Sequence, residues 1–440
     1  METVRLVSNL LSNNPVRSLK GNFVWTFTGN VIYAICQWGI FIAITKLGTA
    51  EMVGQYALGL AITAPVFLFL NMNLSVVMVT DKRDQFYYKD YFILRLITLF
   101  LSMLIIFFLI IFFDYSFITL LVIILVGCSK VIESISDIFN GISQKVERMQ
   151  VIAISKILKG VISLVGVIIV LYFTKNIIIT NLSIIVSWSV VLLFFDYRKG
   201  MESLLLNDNN KNNNKVISRP SSLNSLKCIA VISFPLGVVA SLDSLNLNIP
   251  RYFIQGMLGE ESLGYFAAIV YLMVAGGTVI GALCQSSLPR LSQYYKEEKY
   301  NLFKTLLLKL LLIAFILGLL GIIIAALAGG TVLTLLYNQE YAQYKIVFIL
   351  IMISTAFWYI SSFLDVGINA TQNFKMQIPI YAATILTSIG TSFYFIPAHQ
   401  LVGGAIVVCI GMAVRFTTSV IVLRKIMKAK DFRNLAPSLN

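Results

Sequence analysis

Long apolar runs separated by short polar breaks dominate the chain, and the apolar positions do not alternate with polar ones. A bilayer core of about 30 Å takes about 20 helical residues at about 1.5 Å each, and the runs have that length. A spanning barrel would need short alternating strands instead. Lipid offers backbone groups no partner, so continuous runs of this kind predict helices. Twelve spans are predicted, at 22–46, 52–79, 91–113, 117–140, 150–173, 176–197, 226–256, 262–288, 303–328, 343–369, 376–396 and 401–424. The stretch "TVLTLLYNQEY" (331–341) is too short to span and is expected to lie at the membrane interface. The expected fold is an all-α polytopic membrane protein.

One polar break is long. Residues 198–227 are rich in Asn, Lys and Ser, which predicts a flexible linker. It divides the chain into a six-span lobe (1–197), the linker (198–225) and a second six-span lobe with a tail (226–440). Six is even, so both halves start on one side of the membrane. They are then related by a pseudo-twofold along its normal, around a central cavity. A repeated connector supports this duplication. "KLGTAEMVGQYALG" (46–59) joins spans one and two, and "MLGEESLGYFAAI" (257–269) joins spans seven and eight. Gly48 and Gly259 are expected to end their helices in the left-handed region, with Thr49, Glu51, Glu260 and Glu261 starting the next. Gly48, Glu51 and Gly54 would face Gly259, Glu261 and Gly264, and build or gate the outer mouth.

Composition agrees: of 440 residues, 58% are apolar and 12% charged. The net charge of +14 is placed by topology. Twenty-four Lys and Arg fall on the side of the termini, against about four (Lys46, Lys175, Arg251, Lys345) opposite. Positive residues stay inside, which predicts cytoplasmic termini and leaves no role for a nucleic-acid partner. No cleavable signal pattern opens the chain. The five cysteines lack metal or disulfide spacing. His399 is the only histidine, Asp81 and Asp84 have no acidic or His partner nearby, and no G-x-x-x-x-G-K-[ST] loop occurs. These absences argue against an enzyme and for a transporter without a bound cofactor.

Ionisable residues inside spans normally face a bundle interior or a wet cavity. Lys130, Glu133 and Asp137 share one face of span four, and Lys156 and Lys159 lie in span five. A turn at 144–145 would set Glu133 level with Lys156 and Lys130 level with Lys159. Either Glu133 and Lys156 form a structural pair, or Lys130 and Lys159 remain as surplus charge that attracts phosphate; both readings stand. Span seven holds Asp243, Asn246, Asn248, Pro250 and Arg251, with the proline expected to kink it towards a cavity. Arg415 lies deep in span twelve, while Asp365 and Arg95 are expected to snorkel from span ends. Asn30, Tyr33 and Gln37 share a face of span one, pointing either into the lobe interface or against a neighbouring helix. Asp243 is the candidate for coupling to H⁺ or Na⁺, unless Arg415 neutralises it.

Several segments resemble the polysaccharide and O-antigen flippases of the multidrug/oligosaccharidyl-lipid/polysaccharide exporter superfamily. They are "GQYALGLAITAP" (54–65), "VTDKRDQFYYKDYFILRL" (79–96), "ESISDIFNGISQKVERMQVIAISKILKG" (133–160), "NIPRYFIQGMLGEESLGYFAA" (248–268), "LPRLSQYYKE" (288–297) and "LYNQEY" (336–341). The resemblance implies a bacterial inner-membrane protein that flips an undecaprenyl-pyrophosphate-linked oligosaccharide by alternating access. It also implies a polysaccharide polymerase and chain-length machinery as partners, and a cavity lined by Gln37, Asp243, Asn248 and Arg251. Lys130, Lys159, Arg251 and Arg415 would hold the pyrophosphate. Lys159 departs from the Arg expected in "SKILKG", keeping the charge but losing the bidentate fork. The alternatives are a cation-coupled multidrug antiporter of the same superfamily and a flippase for teichoic-acid or peptidoglycan lipid precursors.

Overall fold

The computed structural model describes residues 19–81, 86–113, 115–209, 222–371, 373 and 376–435. Arg5, Arg17, Lys82, Arg83, Asp84, Lys211, Lys215, Arg219 and Lys375 lie outside the described residues, as does linker stretch 210–221. Among the described residues the fold is helical throughout, without strands. In the first half run α1 (Leu19–Leu47), α2 (Ala50–Asn71), α3 (Leu74–Thr80), α4 (Tyr88–Ile111), α5 (Phe117–Lys145), α6 (Met149–Thr174), α7 (Ile177–Val191) and α8 (Tyr197–Asn209). The second half holds α9 (Leu223–Lys296), α10 (Tyr300–Leu336), α11 (Lys345–Ala370) and α12 (Gln377–Leu435).

Ten helical stretches are long and apolar enough to cross a bilayer. Three of them carry one non-helical residue each: Gly259 in α9, Ala328 in α10 and Gln400 in α12. An unbroken α9 would exceed about 100 Å, over three times the bilayer core. Divided at Gly259 and Gln400, the ten stretches give twelve pieces of spanning length, while Ala328 leaves only a short end of α10 beyond it. Gly259 has φ 86° and ψ 179°, a region open essentially to glycine alone. A Cβ there would meet no atom within 4 Å, so the strain is purely backbone. Gly259→Ala is therefore expected to cost about 1–3 kcal/mol, read as a lower unfolding temperature in detergent.

Two sequence expectations change here, at Gly48 and at the start of the linker. Gly48 is not left-handed: its N–H continues the helical ladder to Ile44 O at 2.9 Å, and Thr49 caps α2 by accepting from Met52 N–H. In α9 the backbone dihedrals are helical at Pro250, and the non-helical residue is Gly259. The predicted linker starts too early. A π-helical turn at Leu192–Asp196 leads into α8, which reaches Asn209 and is clamped to the α5–α6 turn by Arg148–Glu202 at 3.0 Å.

The helices form two bundles. In the first, α1 packs along α6 because small residues allow close approach: Gly29 sits on Ala153, and Gly160 on Cys36. In the second, α9 packs on α11 and α12, with Phe253 edge-on to Phe393 at 4.8 Å. The bundles meet mainly where α2 crosses α9.

Candidate functional site

The interface between the bundles is closed at the end that carries the two repeated connectors. Gly54 and Gly264 meet there, backbone to backbone. A Cβ on Gly54 would lie 1.8 Å from Glu260 O, and one on Gly264 would lie 1.8 Å from Ala50 O. The contact is reciprocal, each glycine facing the carbonyl four residues before the other, as a pseudo-twofold requires. Gln55 Nε2 donates to Glu260 Oε2 at 3.0 Å, and the Thr119 hydroxyl bonds the same carboxylate. Lys46 Nζ donates to Leu335 O at 2.8 Å and Asn338 Nδ2 to Thr45 O at 2.9 Å, adding two more links between bundles. Glu261 instead faces its own bundle through Tyr265, whose hydroxyl also donates to Glu340 at 3.0 Å. Glu51 stays beside Gln55.

Segment 331–341 belongs to this closure. Residues up to Leu336 extend α10 past a deviation at Ala328, and the 3₁₀ turn Gln339–Tyr344 follows. Tyr337 and Tyr341 are buried, and the Tyr337 hydroxyl donates to Ala268 O at 2.7 Å.

At the opposite end, a cavity of about 450 Å³ separates α1 from the second limb of α9. Its polar lining is amides and hydroxyls: Asn22, Thr26, Asn30, Thr278, Gln285 and Ser286. Lys156 stands behind the wall, donating to Asn30 Oδ1 at 2.7 Å. Along α1, Gln37 follows Asn30 and Tyr33 on the same face, with its Nε2 buried and unpartnered.

Each bundle also holds an ion cluster, with Lys159–Asp196 buried in the first and Arg415–Asp365 in the second. In the first, Lys130 pairs with Glu133 at 2.7 Å, and Tyr33 donates to Glu133 at 3.3 Å. Lys159 is buried against Asp196 at 2.8 Å, with Ser136 bonded to both. The expected Glu133–Lys156 pair does not form, and Lys159 is no surplus cation. The helices turn at residues 146–148, not 144–145, which slides Lys156 about one turn down α5 to the level of Asp137. In the second bundle the Arg415 guanidinium bonds Asp243 at 2.9 Å, Asp365 at 2.8 Å and the Tyr381 hydroxyl at 3.2 Å. Asp365 is thus an internal partner and does not snorkel; Arg95 too is buried, bonding Asn71.

Arg251 is different. Its Nη1 donates to Asn248 Oδ1 at 2.9 Å, its Nε is buried without a partner, and no described carboxylate pairs with it. Tyr252 and Tyr271 are within electrostatic range.

Sequence reasoning missed Asp196, Gln55 and the aromatic residues of the interface. Asp196 stood at the edge of a predicted span beside Tyr197 and Arg198, where a charge reads as a boundary. The π turn, which no composition signals, rotates it inward onto Lys159.

A family model described as "Polysaccharide biosynthesis protein" matches residues 19–295. The chain is 29% identical over 395 residues to the capsular polysaccharide biosynthesis protein CapF of Staphylococcus aureus, spanning 89% of this chain and 96% of that one. Its fold is similar to the lipid II flippase MurJ in an inward closed conformation, with TM-score 0.69 and 12% identity over 91% of this chain and 87% of that one. It is similar also to an inward-facing multidrug resistance MATE family transporter, with TM-score 0.62 and 15% identity over 97% and 98%. The glycine crossing, the cavity and the paired ion clusters therefore belong to a member of the polysaccharide biosynthesis protein family, built on the fold of the multidrug/oligosaccharidyl-lipid/polysaccharide exporters.

Proposed function

We propose that the protein carries the pyrophosphate-linked oligosaccharide head of an undecaprenyl lipid from the cytoplasmic to the outer leaflet by alternating access. Arg251 carries the reading. It is a membrane-embedded guanidinium without a described carboxylate, beside tyrosines at the bundle interface. Such a group is costly in a membrane unless an anion joins it. A pyrophosphate supplies that anion through charge-assisted bonds. The amides and hydroxyls of the cavity suit sugar hydroxyls, and they line its wall without an ionised side chain. The family match and the named function of CapF support a surface-polysaccharide repeat unit as the glycan.

In this reading the cavity end faces the cytoplasm, as its clustered Lys and Arg suggest, and the connector end faces outward. The protein resides in the bacterial inner membrane and hands its product to a polymerase and chain-length machinery. Asp243 is half-exposed while Arg415 and Asp365 are buried, so coupling to H⁺ or Na⁺ would act at Asp243. Lys130 and Lys159, being ion-paired, leave the phosphate to Arg251.

The test is leaflet transfer in proteoliposomes of lipid-linked oligosaccharides extracted from producing cells. Arg251→Gln is expected to slow transfer about tenfold to a hundredfold, the worth of a charged hydrogen bond, and Arg251→Lys by less. Wild-type protein that moves cationic dyes and no lipid-linked sugar would replace this reading with the antiporter.

A further inference from the structure

α1 turns one stripe towards the second limb of α9. Asn30, Tyr33, Gln37 and Phe41 recur at helical spacing, and on α9 Tyr271, Thr278 and Gln285 recur every seven residues. The lower members, Asn30, Thr278 and Gln285, line the cavity. About 16 Å further along α1, Phe41 meets Tyr271. Their rings stack face to face across the bundle interface, with centroids 4.2 Å apart and planes 24° apart. Tyr56 packs on Phe41 from the side, at 5.4 Å and 56°. Between cavity and stack stands Gln37, whose Nε2 is buried without an acceptor. A buried donor left unpaired is unfavourable and is normally satisfied by a partner. Here a ligand hydroxyl would serve.

A near-parallel pair contributed by two rigid bodies has a defined fate. It is shut while the bodies touch at this level, and presents two aromatic faces when they part. A pyranose ring has one face of C–H groups and an equatorial rim of hydroxyls, which matches an aromatic face with an amide donor at its edge.

We propose that Phe41 and Tyr271 form a sugar-ring station, with Gln37 donating to a ring hydroxyl, that takes up the glycan as the bundles separate. This rests on the lipid-linked-glycan reading and names the part that holds sugar, whereas Arg251 holds phosphate. Asn30 and Gln285 would guide the glycan towards it along the same stripe.

The experiment measures binding of two probes to the full-length protein in detergent: bare undecaprenyl pyrophosphate, and the extracted undecaprenyl-pyrophosphate oligosaccharide. Tyr271→Leu and Phe41→Leu are expected to weaken the glycosylated lipid at least tenfold and the bare lipid far less. Tyr271→Phe, which keeps the ring, should retain most of the glycan binding that Tyr271→Leu loses, and Arg251→Gln should weaken both lipids. Equal loss for the two lipids in Tyr271→Leu, or loss for neither, overturns the station. So does a loss of glycan binding in the ring-keeping Tyr271→Phe as great as in Tyr271→Leu. Wild-type protein that binds both lipids and transfers neither between leaflets overturns the carrier reading and leaves the station standing. Wild-type protein that binds neither overturns both.

Discussion

Gly54→Val and Gly264→Val are each expected to open the connector end and abolish transport. The first atom added to either glycine falls 1.8 Å from a backbone carbonyl of the facing helix. A side chain could rotate away from such a clash, but a helical carbonyl cannot, so α2 and α9 must separate. Overpacking costs about 1–3 kcal/mol where neighbours yield, and this crossing belongs at the upper end. About 3 kcal/mol shifts a two-state equilibrium by about two orders of magnitude. The loss propagates, because Gln55–Glu260, Lys46–Leu335 O and Asn338–Thr45 O depend on the same approach.

The measurement is disulfide cross-linking between cysteines placed at Lys46 and Leu335, read beside lipid transfer. Both glycine substitutions should reduce cross-linking strongly, and to a similar degree, since the contact is reciprocal about the pseudo-twofold. The nearest atoms to each glycine's Cβ position belong to the facing helix, so α1–α6 packing and expression should survive. Cross-linking and transfer at wild-type levels in both variants would show the crossing to be slack.

How much of this was legible depended on what each feature obeys. Apolar run length and the side preference of Lys and Arg act one helix at a time, so the spans could be read from the chain. The repeated connector pointed to Gly54 and Gly264 as equivalents, and the structure brings them together. Pairings between helices were less accessible. The α5–α6 turn is centred on Glu147, left-handed at φ 57°, where a fold about 144–145 was expected. That slip moves Lys156 past Glu133, towards Asp137 and onto Asn30. Asp196 reaches Lys159 only because a π turn rotates it inward. The Phe41–Tyr271 stack depends on how two bodies dock, which residue spacing within either helix does not encode.

The ion cluster around Arg415 yields the second large effect, and its asymmetry is the test. One guanidinium serves two carboxylates, with Asp365 nearly buried at 10% side-chain exposure and Asp243 half-open at 41%. Arg415→Met leaves both carboxylates facing one another without their cation, and only Ser419, at 3.1 Å, still donates to Asp365. Removing one member of a buried ion pair costs about 3–5 kcal/mol, and the expected result is an unfolding temperature lower by on the order of 10 °C. Asp243→Asn should be far milder, about 1 kcal/mol or less, because water already reaches that carboxylate and Arg415 keeps Asp365. The double variant Arg415→Met with Asp365→Asn should recover most of the loss, since the deeper buried charge leaves with its partner. An Arg415→Met protein as stable as wild type would mean that the cluster is hydrated. If Asp243→Asn leaves stability intact but removes the response of lipid transfer to an imposed H⁺ or Na⁺ gradient, the half-open carboxylate is the coupling group. If the response survives, Arg415 holds Asp243 as a fixed counter-ion and the gradient acts elsewhere.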